Sequence, residues 1–153
     1  MSSLFETLLY IHSYLRYLIL ALIFIVIIKS IIGWLGKQNF TNLDNQLSIT
    51  LTTSAHFQLL LGIILYFMSA KVAFSGNVMG NAWTRYWTVE HLVIMLIAIV
   101  LITLGRARSK RANSDLAKFK TLTIFTIIAL VVVAIGIMQI PANDAKDILY
   151  KSF

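Results

Sequence analysis

At 153 residues, of which 59% are hydrophobic and 12% charged, the chain lies far outside the composition of an ordinary soluble domain. The absence of cysteine removes disulfides, thiolate metal sites, iron–sulfur ligation and thioether attachment of a haem. No motif accompanies the net charge of +7 that would make a nucleic acid the expected partner, so the basic residues are read by their position along the chain.

Four apolar runs, 8–32, 49–70, 87–104 and 122–140, each approach the roughly 20 residues that cross a hydrocarbon core. They are continuous rather than alternating, which predicts helices and not an outer-membrane barrel. Short connections make consecutive spans antiparallel neighbours. The expected fold is therefore an all-α, up-down-up-down four-helix bundle forming a single transmembrane domain in the bilayer, with spans one and three on a diagonal. The first run carries Arg16 and no small-residue cleavage pattern, so it is read as a mature helix rather than a leader.

In span one, TLLYIHSYLRYLILALIFIVIIK sets His12 and Arg16 four residues apart on one helix face, with Tyr10 and Tyr14 near the entrance. The next segment, GWLGKQNFTNLDNQ, reads as a turn followed by a helix start at Asp44 or Ser48. Span two contains AHFQLLLG, in which Gln58 and Gly62 share a face and His56 lies about 10 Å in from the far side of the membrane. SGNVMGNAW is a loop signal. Span three opens with WTVEHLVIM, where Glu90 adjoins His91 and Met95 lies one turn further on, and it runs into the basic stretch GRARSKRANSDLAKFK, read as a connection. Span four supplies no histidine, and Pro141 is expected to end it before an amphipathic interfacial turn presenting Ile148, Leu149 and Phe153.

Eight basic residues (Lys29, Lys37, Arg106, Arg108, Lys110, Arg111, Lys118 and Lys120) fall beside the first and third connections, whereas Lys71, Arg85, Lys146 and Lys151 lie on the other side. The positive-inside rule then places both termini outside, N-out and C-out. Ionisable groups within a span are expensive and usually face a bundle interior, so Arg16 is expected inside. A pair with Glu90 at the outer interface is the plain structural account of both ions. Alternatively Arg16 offsets a haem propionate, and Glu90 orients a histidine through its ring N–H.

His12 and His91 fall at a common depth on diagonal helices, where two neutral imidazoles can hold the iron of a non-covalent haem b; His56 is the reserve ligand. A three-histidine zinc site would require His56 to rise to their level. For each histidine the competing account is a hydrogen bond between helices. Gln58, Glu90 and His56 are the polar groups available to a quinol or to proton handling, and Trp87 is a candidate for the outer entrance. In HSYLRYL, AHFQLLLGIILYF and VEHLVIMLIAIVLITLGRARSKR the chain resembles a bacterial family of small four-span membrane proteins described as cytochrome b-like. The resemblance implies a haem-associated protein of the bacterial inner membrane, with His12, His56 and His91 at the positions of the family's intramembrane histidines; three histidines are too few for two bis-histidine haems. Three functions follow as expectations: haem-based electron transfer with quinol, alone or in a respiratory complex; a cofactor-free accessory or assembly subunit of a larger membrane complex; and a small transporter or proton-conducting unit in which Arg16, His56 and Glu90 form a relay, in a homo-oligomer.

Overall fold

The computed structural model describes residues 2–141, and the statements below concern those residues. Their elements are α1 (Ser2–Leu35), α2 (Asn42–Met68), α3 (Ala82–Arg85), a π-helical turn (Tyr86–Glu90), α4 (His91–Arg111) and α5 (Asp115–Met138). The short α3, the π turn and α4 continue as one helix, Ala82–Arg111. The protein is all-helical, with 4 helices long and apolar enough to cross a membrane and no strand among the described residues. The interfacial turn expected at Ile148, Leu149 and Phe153 lies outside the described residues, as do Lys146 and Lys151.

Every helix starts ahead of its apolar run, whereas α2 and α5 stop two residues short of theirs, because local capping and not hydrophobicity decides the ends. Helix α2 begins at Asn42, ahead of both expected starts, since Thr41 provides the cap: its backbone N–H donates to Asp44 Oδ2 at 2.8 Å, and its hydroxyl oxygen accepts from the Asp44 backbone N–H. Asp44 thus becomes the third residue of the helix and also meets Lys29 Nζ at 2.9 Å, fastening α2 to α1. The basic stretch is mostly helical and not a connection. Arg106, Arg108, Lys110 and Arg111 belong to α4, and α5 starts at Asp115 behind the Ser114 cap, so residues 112–114 alone join the two.

Helix α1 packs on α2 and α5; α4 packs closely on α5 and more loosely on α2, leaving α1 and α4 across the diagonal. The apolar centre includes Leu22, Ile23, Val26, Leu51, Ile99 and Ala129. Toward the basic end, two glycines let helices touch. A Cβ on Gly33 would collide with the tip of the Phe119 ring, and one on Gly105 with the Phe125 Cβ. Packing is looser at the other end, where α1 begins and α5 finishes, and a cavity opens there.

Candidate functional site

The cavity measures about 350 Å³, within the range of small-molecule sites, and its walls come mainly from α1, α2 and α4. His12 and Arg16 enter it from α1, Gln58 and Gly62 from α2, and His91 and Met95 from α4. The two histidines therefore face one space from diagonal helices. Gly62 faces His12 across the cavity wall: a Cβ there would stand 3.4 Å from the His12 Cε1, in ordinary contact. The neighbouring Gln58 binds α1 directly, its Nε2 donating to the His12 carbonyl oxygen at 2.9 Å.

His91 is set by the π turn. Its backbone N–H donates to the Tyr86 carbonyl, five residues back, so Tyr86 and His91 share a face as residues five apart do not in an α-helix. Tyr86 and Trp87 are both buried, with ring centroids 5.9 and 5.6 Å from that of His91. The widened turn is held from outside itself. The Tyr66 hydroxyl donates to the Thr88 carbonyl at 3.0 Å, the Ala73 N–H donates to the Thr88 hydroxyl at 3.1 Å, and the Tyr86 hydroxyl donates to the Gly136 carbonyl of α5 at 2.9 Å. These bonds recruit groups from α2, α5 and the 69–81 loop to fix one turn of the third span.

The same π register redirects Glu90. Glu90 Oε1 accepts from Arg85 Nε at 2.6 Å, because five-residue spacing brings Arg85 over it, so among the described residues the carboxylate is engaged by a cation other than the Arg16 expected from an α-helical reading. Nor does Glu90 engage the His91 Nδ1, which is buried without a hydrogen-bond partner among the described residues. His56 is likewise placed apart from the other two. It lies exposed on the lipid-facing side, with Nε2 3.2 Å from the Thr103 hydroxyl of α4. That hydroxyl gives its proton to the Ile99 carbonyl, so His56 is the donor in this contact. Consequently no three His, Asp or Glu side chains converge among the described residues, and His56 is no reserve partner for His91 in this arrangement.

Three buried polar atoms are unpartnered around the cavity: His12 Nδ1, His91 Nδ1 and Gln58 Oε1. Desolvating such atoms costs roughly 1–3 kcal/mol each, so a fold that retains three at one site has a use for them or a group to satisfy them. Two cations, Arg16 and Lys71, also line the cavity, and among the described residues no carboxylate does. The Arg16 guanidinium lies over the Tyr17 ring, and the Lys71 ammonium lies 4.7 Å from the Trp87 ring centroid. Lys71, Tyr66 and Thr88 have no place in a motif-based reading of the sequence. The one signal for Lys71 is its position, the first charge after the apolar run of span two.

Fold and site together define a multi-pass helical membrane protein with a largely apolar cavity lined by two histidines, Arg16 and Lys71. Compared with known proteins, the chain matches no family model, no curated protein and no solved structure. The cytochrome b-like resemblance therefore rests on the quoted segments alone.

Proposed function

We propose that the cavity holds a b-type haem between His12 and His91, and that the protein carries electrons within a bacterial inner membrane, its basic end toward the cytoplasm. The observation that carries the reading is the meeting of two imidazoles from diagonal helices in one apolar cavity. The imidazole nitrogens of His12 and His91 would hold the iron, and Arg16 and Lys71, on the same cavity wall, would face the carboxylates. Bound there, haem supplies a one-electron couple.

The chain's own contribution is binding, orientation and exclusion of water. The π turn holds His91 by the Tyr66 and Tyr86 hydrogen bonds, and Gln58 holds the α1 backbone at His12. Buried Tyr86 and Trp87 close the wall behind His91 and lower the local dielectric, which strengthens the attraction between the cations and an anionic group. A proton relay through Arg16, His56 and Glu90 has less support, because His56 is bonded to Thr103 and Glu90 to Arg85.

The test is a reduced-minus-oxidised visible spectrum of the protein purified from cells with ample haem, together with His12→Ala, His91→Ala and His56→Ala. A b-type spectrum lost in the first two variants and kept in the third is the expected result. A folded wild-type protein without haem absorbance would remove the cytochrome reading and leave an accessory subunit of a larger membrane complex.

A further inference from the structure

Basic side chains crowd the end of α4, and the helix terminus accounts for those of its last turn, Arg108, Lys110 and Arg111, because free carbonyls there favour cations. Arg106 stands outside that account. It lies more than a turn ahead of Arg111, about 8 Å deeper along the helix, and its Nε is buried without a hydrogen-bond partner among the described residues.

The face that Arg106 occupies is fixed by its neighbours. Thr103 meets His56 of α2, and residues three and seven further along a helix keep to one face, so Arg106 and Lys110 also look toward α2. Helix α2 runs the opposite way, and its matching face carries Thr52, Ile49 and Asn45 at this level. None is an acid. The two carboxylates of this end are held elsewhere, Asp44 by Lys29 at 2.9 Å and Asp115 by Lys118 at 2.8 Å. The seam between α2 and α4, which is packed more loosely than that between α4 and α5, therefore has two cations on one wall and an amide and a hydroxyl on the other. Among the described residues it has no counter-charge.

A cation at the edge of the hydrocarbon region is normally paired, so the missing anion is expected from outside the chain. Its chemistry follows from where the seam leads. Deeper in the membrane the same two faces continue as Leu60 and Ile63 on α2 and as Val100 and Leu96 on α4, all exposed. A soluble anion has no use for this apolar continuation, whereas a lipid fills both parts.

We propose that the seam binds an anionic phospholipid, its phosphate between Arg106 and Lys110 and an acyl chain lying along Leu60, Ile63, Leu96 and Val100. A guanidinium suits the phosphate because it donates two hydrogen bonds at once, and the ammonium adds a point charge. The site lies at the end opposite the histidines and does not depend on what the cavity holds.

The experiment uses the full-length protein in phosphatidylcholine nanodiscs with a low fraction of phosphatidylglycerol carrying a diazirine halfway along one acyl chain, the adducts being mapped and counted by mass spectrometry. Adducts are expected on the peptides containing Leu60, Ile63, Leu96 and Val100. They should fall about tenfold in Arg106→Gln and about fivefold in Lys110→Gln, against at most about twofold in Lys37→Gln and Lys120→Gln, which remove the same charge from the same end but away from the seam. Lys110 is exposed, so its substitution keeps the test open should Arg106→Gln fail to assemble. Equal losses in all four variants would reduce the effect to the general attraction of a basic end for an anionic leaflet and overturn the site. Equal labelling by the matching phosphatidylcholine probe, or displacement by excess inorganic phosphate, would overturn it too. So would an unlabelled seam, which in a protein that elutes as a dimer would assign the cover to a second copy of the chain.

Discussion

The two ends of the bundle solve opposite problems. At the basic end, helices close on one another through glycine–aromatic contacts, the capping box at Thr41 and Asp44, and the Lys29–Asp44 pair. Lys118 and Lys120 lie over the Phe40 and Trp34 rings there, so even the charges are folded against apolar surface. The other end keeps a cavity and concentrates unpartnered polar atoms around it. Buried polar atoms without partners occur at the basic end too, at Arg106 Nε and Thr123 Oγ1, but singly; His12 Nδ1, His91 Nδ1 and Gln58 Oε1 surround one space. Close packing is concentrated at one end and the cavity with its unpartnered polar atoms at the other.

The largest effect should come from opening the closed end. Phe119 is buried against Gly33 and Phe40, and Phe119→Ala leaves a ring-sized void that cannot collapse without moving α1; a loss of about 3–5 kcal/mol is expected in denaturant unfolding of the detergent-solubilised protein. Binding of the proposed haem by the folded fraction should not change. A loss below 1 kcal/mol would show that this end is not close-packed. Next in size is a matched pair of glycine substitutions. Gly33→Ala drives a methyl into the Phe119 ring and should cost about 1–3 kcal/mol. Gly62→Ala brings its methyl only to ordinary contact with His12 and removes a helix-interior glycine, so it should stabilise by about 0.5–1 kcal/mol. Its cost should instead appear in the ligand spectrum, because the methyl takes up space at the His12 face. Equal destabilisation by both would erase the distinction between the two ends. Smaller again is Tyr86→Phe, which leaves the Gly136 carbonyl without its donor and should cost about 1 kcal/mol in thermal unfolding. Because the ring stays in place, the His91 environment should shift without collapsing.

Much of the architecture is legible in the sequence because hydrophobic length is a cumulative property that tolerates local error. The four spans, their antiparallel order and the diagonal placement of the first and third follow from run lengths and short connections. The meeting of His12, Arg16, Gln58, Gly62 and His91 is legible for a similar reason: polar groups in apolar helices must turn inward. Illegible is whatever depends on one residue of register. YWTVE carries no local mark of a π turn, since its stabilising partners, Tyr66, Ala73 and Gly136, come from three other places in the chain. An α-helical reading puts Arg85 four residues from Val89, and Glu90 is then left to Arg16. Likewise the helical character of ARSKRANSDLAKFK is hidden by its charge, which marks a membrane boundary but not a helix end.

The smallest expected effect tests that register most directly. The Arg85–Glu90 pair is partly exposed, with side chains 37% and 28% accessible, so its net worth should be about 0.2–1 kcal/mol. A double-mutant cycle with Arg85→Gln and Glu90→Gln should return a coupling in that range, weakened by added salt. The parallel cycle with Arg16→Gln and Glu90→Gln should return a coupling close to zero, because the π turn commits the Glu90 carboxylate to Arg85 and leaves Arg16 on the cavity wall. Removing the extra residue of the turn, by deleting Val89, should move Glu90 and His91 around the helix axis together and so alter both the coupling and the ligand spectrum. An Arg16–Glu90 coupling larger than that of Arg85–Glu90 in the unaltered register would return Glu90 to the cavity.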